Sequence, residues 1–356
     1  MKLAALMLLA VACAKEGANN SATASSTTSS SGGSVDLTGA GATFPYPIYS
    51  KWFSDYATAT GVKINYQSIG SGGGIRQLSE GTVDFGASDS PMSDDEMSKA
   101  KGGPILHIPT VLGADVITYN LPGVTAALKL TPAVIADVFM GRVKKWNDTR
   151  IASLNSGVSL PNQDILVVHR SDGSGTTYIF TDYLSTTVSA WKTSVGKGKE
   201  VKWPVGLGAK GNEGVAGQVK QTPGSIGYVE LAYATQNNLP IAAIRNKSGQ
   251  FVAASVPAVT AAAAGAAKAL PANTDYRISI VDAPGADSYP ISSFTWILVY
   301  QHQTDAVKGK KLVDFLNWAL TEGEKSAVTL DYAPLPAEMA TTVKAKITTI
   351  DLSGAK

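Results

Sequence analysis

The chain has 356 residues, of which 44% are hydrophobic and 16% are charged, and its formal net charge is +2. This composition is typical of a globular protein, and it excludes a disordered chain, a fibrous repeat and a strongly basic nucleic-acid-binding domain. A chain of this length exceeds what one hydrophobic core usually serves, so we expect two lobes.

The chain begins with a leader-like segment. Residues 1–12, MKLAALMLLAVA, place one lysine before an apolar run that is too short to span a bilayer. This pattern predicts a signal peptide and a mature protein that lies outside the cytoplasm. Cys13, the one cysteine of the chain, follows directly. We expect it to be lipidated and to anchor the protein to a membrane, and ordinary signal cleavage after the small residues AVA is the alternative.

The segment after the cysteine has a composition that does not fold. Residues 17–34 contain only Gly, Ala, Asn, Ser and Thr, which cannot bury enough apolar surface to form a core. We therefore interpret residues 13–34 as the lipidated cysteine and a flexible tether. The alanine-rich run at 257–270 is too short for a membrane span and contains Lys268, so it predicts a helix of the folded domain.

Beyond the tether, short β-branched runs alternate with helical patterns. Apolar stripes at 48–56 and 312–320 predict two of the helices. The runs that predict strands are residues 62–66, 83–88, 105–110, 115–120, 164–170, 225–230 and 294–300. This alternation indicates an α/β fold with any ligand outside the carboxyl ends of the strands.

Three loops rich in small residues share one pattern: TGAGATFP (38–45), SIGSGGGIRQL (68–78) and RSDGSGTTYIF (170–180). Each is expected to be a turn that contains a hydroxyl residue and leads into a helical pattern. Helix N-termini carry unpaired N–H donors and a partial positive charge, so three of them together predict an anion site. For any one loop alone, a simple turn with an N-cap is the alternative.

Asp89, in the stretch DFGASDSPM, is an acid among these donor-rich loops. It can be a turn former or helix cap ahead of Pro91. If it instead faces the anion, its carboxylate can only accept a hydrogen bond, so it would tolerate a protonated oxyanion and repel an unprotonated one. Phosphate would then bind and sulfate would be rejected.

The chain closely resembles one known family over residues 36–336. The motifs that carry the resemblance are TGAGATFPYPIYSKW, YQSIGSGGGIRQL, TVDFGASDSPMSDDE, VFMGRVKKWND, RSDGSGTTYIFTDYL, VKWPVGLGAKGNEGV, PGSIGYVELAYA and LDYAPLP. Together they resemble the phosphate-binding protein of the bacterial high-affinity phosphate ABC transporter. The resemblance implies a two-lobed periplasmic-binding-protein fold of type II with a ligand cleft between the lobes. The chain would cross between lobes twice, near 110–114 and 289–295.

The resemblance also implies the lobe boundaries and the ligand residues. One lobe would comprise residues 36–111 and 292–356, and the other 112–291. Matched position by position, the phosphate-binding residues of the family fall on Thr43, Phe44, Ser71, Asp89, Arg170, Ser174, Gly175 and Thr176. Arg170 would bind phosphate oxygens while Asp172 holds its guanidinium, and Asp89 would accept from the phosphate hydroxyl. His169 stands where relatives can carry another arginine, so the fringe of the site is expected to be less cationic.

The implied function is capture of inorganic phosphate and its delivery to a membrane ABC permease by a monomer without a cofactor. The alternatives are a phosphate-scavenging or sensing lipoprotein and a weak phosphomonoesterase. No G-x-S-x-G motif and no base placed beside a serine is apparent, so we expect no catalytic residue.

Other sites find little support in the sequence. GLGAKG (206–211) matches a dinucleotide-binding motif, but Pro204 lies in the segment before it and argues against a central strand there. The absence of G-K-[ST] excludes a Walker loop. The three histidines, His107, His169 and His302, are far apart and form no metal-binding motif, so we interpret them as structural or surface residues.

Overall fold

The computed structural model describes residues 37–267 and 275–354. The strands of this part are β1 (Leu37–Gly41), β2 (Ile64–Ser68), β3 (Phe85–Ser88), β4 (Ile105–Tyr119), β5 (Lys129–Leu130), β6 (Leu166–Arg170), β7 (Leu207–Ala209), β8 (Ser225–Glu230), β9 (Ala243–Arg245), β10 (Phe251–Val252), β11 (Ser292–Tyr300) and β12 (Ala333–Pro334).

The α-helices are α1 (Tyr46–Thr60), α2 (Ser71–Glu80), α3 (Asp94–Ser98), α4 (Pro132–Phe139), α5 (Thr149–Ala152), α6 (Gly175–Thr187), α7 (Ser189–Ser194), α8 (Gly211–Gln221), α9 (Leu231–Gln236), α10 (Val256–Ala267), α11 (Ala306–Ala319) and α12 (Ala337–Ile347). Two 3₁₀ turns follow α11, at Gly323–Ser326 and Val328–Leu330. In the described residues, no helix is both long and apolar enough to cross a membrane.

The main sheet joins two groups of parallel strands. Its order is β2-β1-β3-β11-β4-β8-β6-β7, with β12 paired to β4 outside this path. Strands β2, β1 and β3 are mutually parallel, as are β8, β6 and β7, whereas β11 and β4 run antiparallel to their neighbours. The long strand β4 thus connects the two groups. A second, smaller sheet has the order β10-β9-β5.

The two strands expected at 105–110 and 115–120 are one continuous strand. β4 pairs with β11 through Ala114 and with β8 from Asp115 onward, so it changes partner without ending. The intervening residues 111–114 are buried. Because this segment has a hydrogen-bonded neighbour along its whole length, its Gly113 does not interrupt it.

The expectation of a turn at TGAGATFP was wrong for its first half, which forms β1. This strand lies between β2 and β3 and packs closely against α2. A methyl group added at Gly74 of α2 would overlap the backbone at Ala40 and Gly41, so helix and strand meet backbone to backbone. Small residues in β1 therefore serve close packing as well as the turn that follows.

The predicted helical stripes form the buried faces of two helices. Helix α1 buries Ile48, Trp52, Phe53 and Tyr56, and Phe53 lies 5.5 Å from Phe315 of α11 between ring centroids. The alanine-rich segment forms α10 through Ala267, and its start is capped by Ser255, whose Oγ accepts from Ala258 N at 3.3 Å. These three helix predictions are confirmed within the described residues.

Candidate functional site

The predicted ligand residues lie at the carboxyl ends of the parallel strands, and all of them are buried. Thr43 and Phe44 follow β1, Ser71 follows β2, Asp89 follows β3, Arg170 ends β6, and Ser174, Gly175 and Thr176 come soon after it. Carboxyl ends of neighbouring parallel strands meet at one edge of a sheet, which is where α/β folds bind ligands. The fold therefore places both groups of predicted residues at such edges.

Two helices begin at these residues. Helix α2 starts at Ser71 and helix α6 at Gly175, and Ser174 caps α6 by accepting from Thr177 N at 2.9 Å. Within the described residues, the backbone N–H groups of Ser71, Gly175 and Thr176 donate to no protein acceptor. These donors and the positive ends of two helix dipoles favour an anion.

The turn after β1 is fixed by two tyrosines. Tyr233 Oη donates to the carbonyl of Thr43, and Tyr332 Oη donates to the carbonyl of Phe44, each at 2.6 Å. With both carbonyls engaged, the peptide planes of this turn have a defined orientation. The N–H of Phe44 donates to no acceptor within the described residues, so it adds a further backbone donor.

Arg170 supplies a positive charge from within the protein interior. Its Nε and Nη2 donate to the two carboxylate oxygens of Asp172 at 2.8 and 2.5 Å, and its Nη1 donates to Thr176 Oγ1 at 3.2 Å. Burial opposes the charge on Arg170, but the Asp172 carboxylate raises its pKa above the usual value. The guanidinium is thus charged and held in one orientation by a bidentate pair.

Asp89 is neither a helix cap nor a simple turn residue. Its Oδ1 accepts from Thr295 Oγ1 at 2.8 Å, and its Oδ2 lies 3.4 Å from Ser71 Oγ, which also accepts from the Asp89 N–H at 3.2 Å. Burial raises the pKa of Asp89 to about 7, and the Thr295 hydrogen bond and the charge of Arg170 act in the opposite direction. Near neutral pH this carboxyl can exist in either protonation state.

The loops from the two groups of strands contact each other directly. Gly72 N donates to Gly173 O at 2.8 Å, which joins the start of α2 to the loop before α6. A methyl group added at Gly175 would overlap both Asp89 Oδ2 and Ser71 Oγ. The structure therefore brings the residues of both groups together around Gly175.

Asn212, which is not among the residues predicted from the sequence, is fully buried in the first turn of α8. Its side-chain amide donates to Thr43 Oγ1 at 2.7 Å and to Thr176 Oγ1 at 3.0 Å. The start of α8 thus contributes to the site, beside the starts of α2 and α6. The sequence feature that could have identified Asn212 is its position in GLGAKGNEG, a family motif that leads into a helix.

The remaining candidates lie in other environments. His107 Nε2 accepts from Met92 N at 3.0 Å, His169 stacks on Trp203 with ring centroids 4.6 Å apart, and His302 pairs with Asp351 at the surface. Across residues 37–267 and 275–354, no group of three or more His, Cys, Asp or Glu side chains is arranged to hold a metal ion. The GLGAKG stretch forms strand β7 at the edge of the sheet and the turn into α8.

The expected signal peptide (1–12), Cys13 and the tether (13–34) lie outside the described residues. Within the described residues, the site combines backbone donors, hydroxyls, one fixed guanidinium and one buried carboxyl. Such a set can bind a small oxyanion, with Asp89 available to accept a hydrogen bond from a protonated oxygen.

Known proteins of the same kind match most of the chain. A family model described as a PBP superfamily domain matches residues 20–322. The phosphate-binding protein PstS of Pasteurella multocida (strain Pm70) is 48% identical over 311 residues, which cover 87% of this chain and 89% of that protein. The PstS of Xylella fastidiosa (strain Temecula1) is 46% identical over 317 residues, covering 88% and 85%.

A solved structure shares the fold. It is that of a high affinity periplasmic phosphate-binding protein (PfluDING) bound with phosphate, and it matches with a TM-score of 0.70 at 23% identity. The match covers 87% of this chain and 93% of that one. The expected α/β periplasmic-binding-protein fold is therefore confirmed. With nearly half of its aligned residues identical to a curated PstS, the chain belongs to the PstS family of phosphate-binding proteins.

Proposed function

We propose that this protein captures inorganic phosphate between two lobes outside the cytoplasm and delivers it to a membrane ABC permease. Its relatives at 48% and 46% identity bear the name phosphate-binding protein PstS. The observation that supports the proposal best is Asp89, a buried carboxyl within a set of donors that otherwise suits any oxyanion. A single acceptor at this place favours an anion that still carries a proton, as phosphate does at neutral pH.

We assign the ligand contacts as follows. Arg170 would donate charge-assisted bonds to phosphate oxygens, and Asp172 would hold its guanidinium. Asp89 would accept the hydrogen bond of the phosphate hydroxyl. The remaining ligands would be the hydroxyl and backbone donors of Thr43, Phe44, Ser71, Ser174, Gly175 and Thr176. Their burial and their position at strand ends and helix starts support this assignment.

The proposed lobes are residues 36–111 with 292–356, and residues 112–291. The change of partner in β4 between Ala114 and Asp115 lies at the end of the first proposed crossover, 110–114. Strand β11 begins at Ser292, within the second, at 289–295. Ligand contacts from both sides of such a hinge would favour the closed form, because only that form offers all of them at once.

We also propose that the protein binds phosphate without converting it. Ser174 is the assigned ligand serine nearest to Arg170 in sequence. It accepts from a backbone N–H at the start of α6, and none of its hydrogen bonds within the described residues involves a general base. The test is incubation with a generic phosphomonoester. Steady phosphate release that Ser174→Ala abolishes would establish catalysis instead.

For the cellular location we propose export and lipidation at Cys13, on the strength of the leader and tether sequence. The mature protein should fractionate with membranes, and Cys13→Ser should release it or leave it unprocessed. A wholly soluble unsubstituted protein would favour ordinary secretion.

The proposed ligand is tested by isothermal titration of the purified protein, stripped of bound ligand by unfolding and refolding. We expect one-to-one binding of phosphate and no binding of sulfate. Asp89→Asn should gain sulfate binding, because an amide can donate to an unprotonated oxygen. Asp84→Asn is the matched control, since Asp84 directly precedes the same strand, β3, and its side chain bonds in the described residues to Thr38 of β1 and Lys308 of α11 rather than to an assigned ligand residue. Sulfate binding by the unsubstituted protein would contradict the role of Asp89.

A further inference from the structure

The orientation of the Asn212 amide is fixed by the backbone of a neighbouring strand. Its Oδ1 accepts a hydrogen bond of 2.9 Å from the N–H of Glu230, the last residue of β8. A backbone N–H can only donate, so the oxygen of the amide must face Glu230. The Nδ2 group then necessarily faces the two threonines, with one hydrogen for each.

Both threonine oxygens receive two hydrogen bonds from the protein. Thr43 Oγ1 accepts from Asn212 N at 3.2 Å and from Asn212 Nδ2 at 2.7 Å. Thr176 Oγ1 accepts from Arg170 Nη1 at 3.2 Å and from Asn212 Nδ2 at 3.0 Å. A hydroxyl has two lone pairs and one hydrogen, so neither oxygen can accept a further bond. Each hydroxyl can now only donate.

We propose that Asn212 is a positioning residue that makes Thr43 and Thr176 obligatory donors to the anion. The inference rests on the proposed function, because the two threonines are among the assigned phosphate ligands. A hydroxyl that is free to rotate could turn a lone pair toward the ligand and repel its oxygens. With the amide in place, both hydrogens are directed away from Asn212, and neither threonine can accept the phosphate proton. That proton is then left to other acceptors, among them the carboxylate form of Asp89.

Asn212→Asp inverts this arrangement with little change in shape. The carboxylate keeps an oxygen for the Glu230 N–H, but it accepts from the threonine hydroxyls and turns both hydrogens away from the ligand. Two hydrogen bonds to a charged group are lost, so we expect phosphate affinity to fall about 100-fold or more in isothermal titration. Asn120→Asp is the control, since the Asn120 amide also donates two hydrogen bonds, to the carbonyls of Val219 and Lys220. It should change phosphate affinity less than about threefold.

A double-mutant cycle with Thr176→Val separates this role from a general effect of the new charge or of altered packing. If Asn212 acts through the hydroxyls, Asn212→Asp must cost less when one hydroxyl is already absent, and we expect about a 10-fold loss in the Thr176→Val background. An equal loss in both backgrounds, within about twofold, would overturn the inference.

A folding failure of the variant and a failure of the proposed function can each be distinguished from a failure of this inference. If Asn212→Asp does not fold, as judged by circular dichroism, Asn212→Ser takes its place in the cycle with the same requirement of a smaller loss in Thr176→Val. Absence of phosphate binding by the unsubstituted protein would overturn the proposed function together with this inference. Phosphate binding with an additive cycle would overturn the role of Asn212 alone.

Discussion

Asp89 Oδ1 accepts a 2.8 Å hydrogen bond from Thr295 Oγ1, although the two residues lie 206 positions apart. Asp89 directly follows β3, and Thr295 lies in the neighbouring strand β11. Behind it, Thr110 Oγ1 donates to the Thr295 carbonyl at 3.3 Å and lies 2.7 Å from Tyr49 Oη. Thr295, which donates to the proposed acceptor of the site, is thus itself held by hydroxyls of β4 and α1.

The raised pKa of Asp89 predicts a pH dependence of stability in the ligand-free protein. Its ordinary pKa is 3.8 and its pKa in the folded protein is about 7, so between these values the folded state binds more protons than the unfolded state. The free energy of unfolding should therefore fall as pH rises from about 4 to about 7. Asp89→Asn should lack this contribution, which is on the order of 4 kcal/mol for a shift of this size.

The measurement is urea unfolding of phosphate-free protein at pH 4 to 8 for the unsubstituted protein and Asp89→Asn. The buried acids Asp115 and Glu230 are present in both proteins, and their pKa values are raised by burial and, to a smaller extent, by the Asp89 charge. The difference between the two curves therefore reports Asp89 together with its coupling to these two acids. The variant should become the more stable protein at the upper end of the range. Parallel curves would show that Asp89 titrates alike in the folded and unfolded states.

The sequence predicts individual helices and strands whose pattern of apolar residues is visible in a short stretch of the chain. The apolar stripe at 48–56 forms α1, where its periodicity marks the buried face, and the short run 225–230 forms β8, which is buried along its whole length. The continuity of β4 could not be predicted, since it depends on partners, β8 and β11, that lie more than a hundred residues away in sequence. The glycines of β1 predict a turn, whereas in the structure they allow close packing: methyl groups added at Gly39 and Gly41 would overlap Phe85 and Ala87 of β3.

The candidate site was also predicted only in part, because contacts between residues that are far apart in sequence leave no local pattern. The family motifs named eight ligand residues, and the fold brings them to the ends of neighbouring strands; their roles remain predictions. Thr295 and Asn212 were not singled out, because a threonine in an apolar strand and an asparagine in a helix start have common local roles. Their contacts with Asp89 and Thr43 exist only in the folded chain.

Gly175→Ala should abolish phosphate binding and leave the fold intact. The added methyl group would overlap Asp89 Oδ2 and Ser71 Oγ, so the two sides of the site could not approach each other. We expect a loss of affinity of at least about 100-fold, equivalent to about 2.7 kcal/mol.

Gly217→Ala in α8 is the control, because nothing lies within 4 Å of its added methyl group. It should leave binding unchanged and stabilise the protein by about 0.5 to 1 kcal/mol. Titration and thermal unfolding measure both effects, and near-normal binding by Gly175→Ala would count against the assigned site.

Arg170→Lys tests whether the shape of the guanidinium matters in addition to its charge. A lysine keeps the charge but cannot bond both oxygens of Asp172 and also reach Thr176. We expect phosphate affinity to fall about 100-fold. Arg150→Lys is the matched control, because Arg150 is also paired with an aspartate two residues away, Asp148, but is exposed. Its effect on affinity should be negligible. Equal affinities for the two variants would mean that Arg170 contributes charge alone.

The short helix α3 carries two ion pairs that connect the proposed lobes. Glu96 Oε1 lies 2.5 Å from Lys199 Nζ, and Asp94 Oδ1 lies 2.6 Å from Arg277 Nη1. Under the proposed division, the acids belong to one lobe and the bases to the other. We therefore predict that these pairs slow the opening of the cleft and the release of phosphate.

Glu96→Gln tests this prediction without disturbing the helix start. Glu96 also forms a capping box with Ser93, a role that glutamine can fill. Since the Glu96–Lys199 pair is partly exposed, its loss should speed phosphate release only about two- to fivefold at low salt, and the difference should shrink toward none in 1 M salt. Asp95→Asn removes the same charge from the same helix, but its partner, Lys99, lies four residues further along the chain in the same proposed lobe, so release should not change. The rate of phosphate release is measured by stopped flow at both salt concentrations. Equal rates for Glu96→Gln and Asp95→Asn at low salt would show that the Glu96–Lys199 pair does not hold the lobes together.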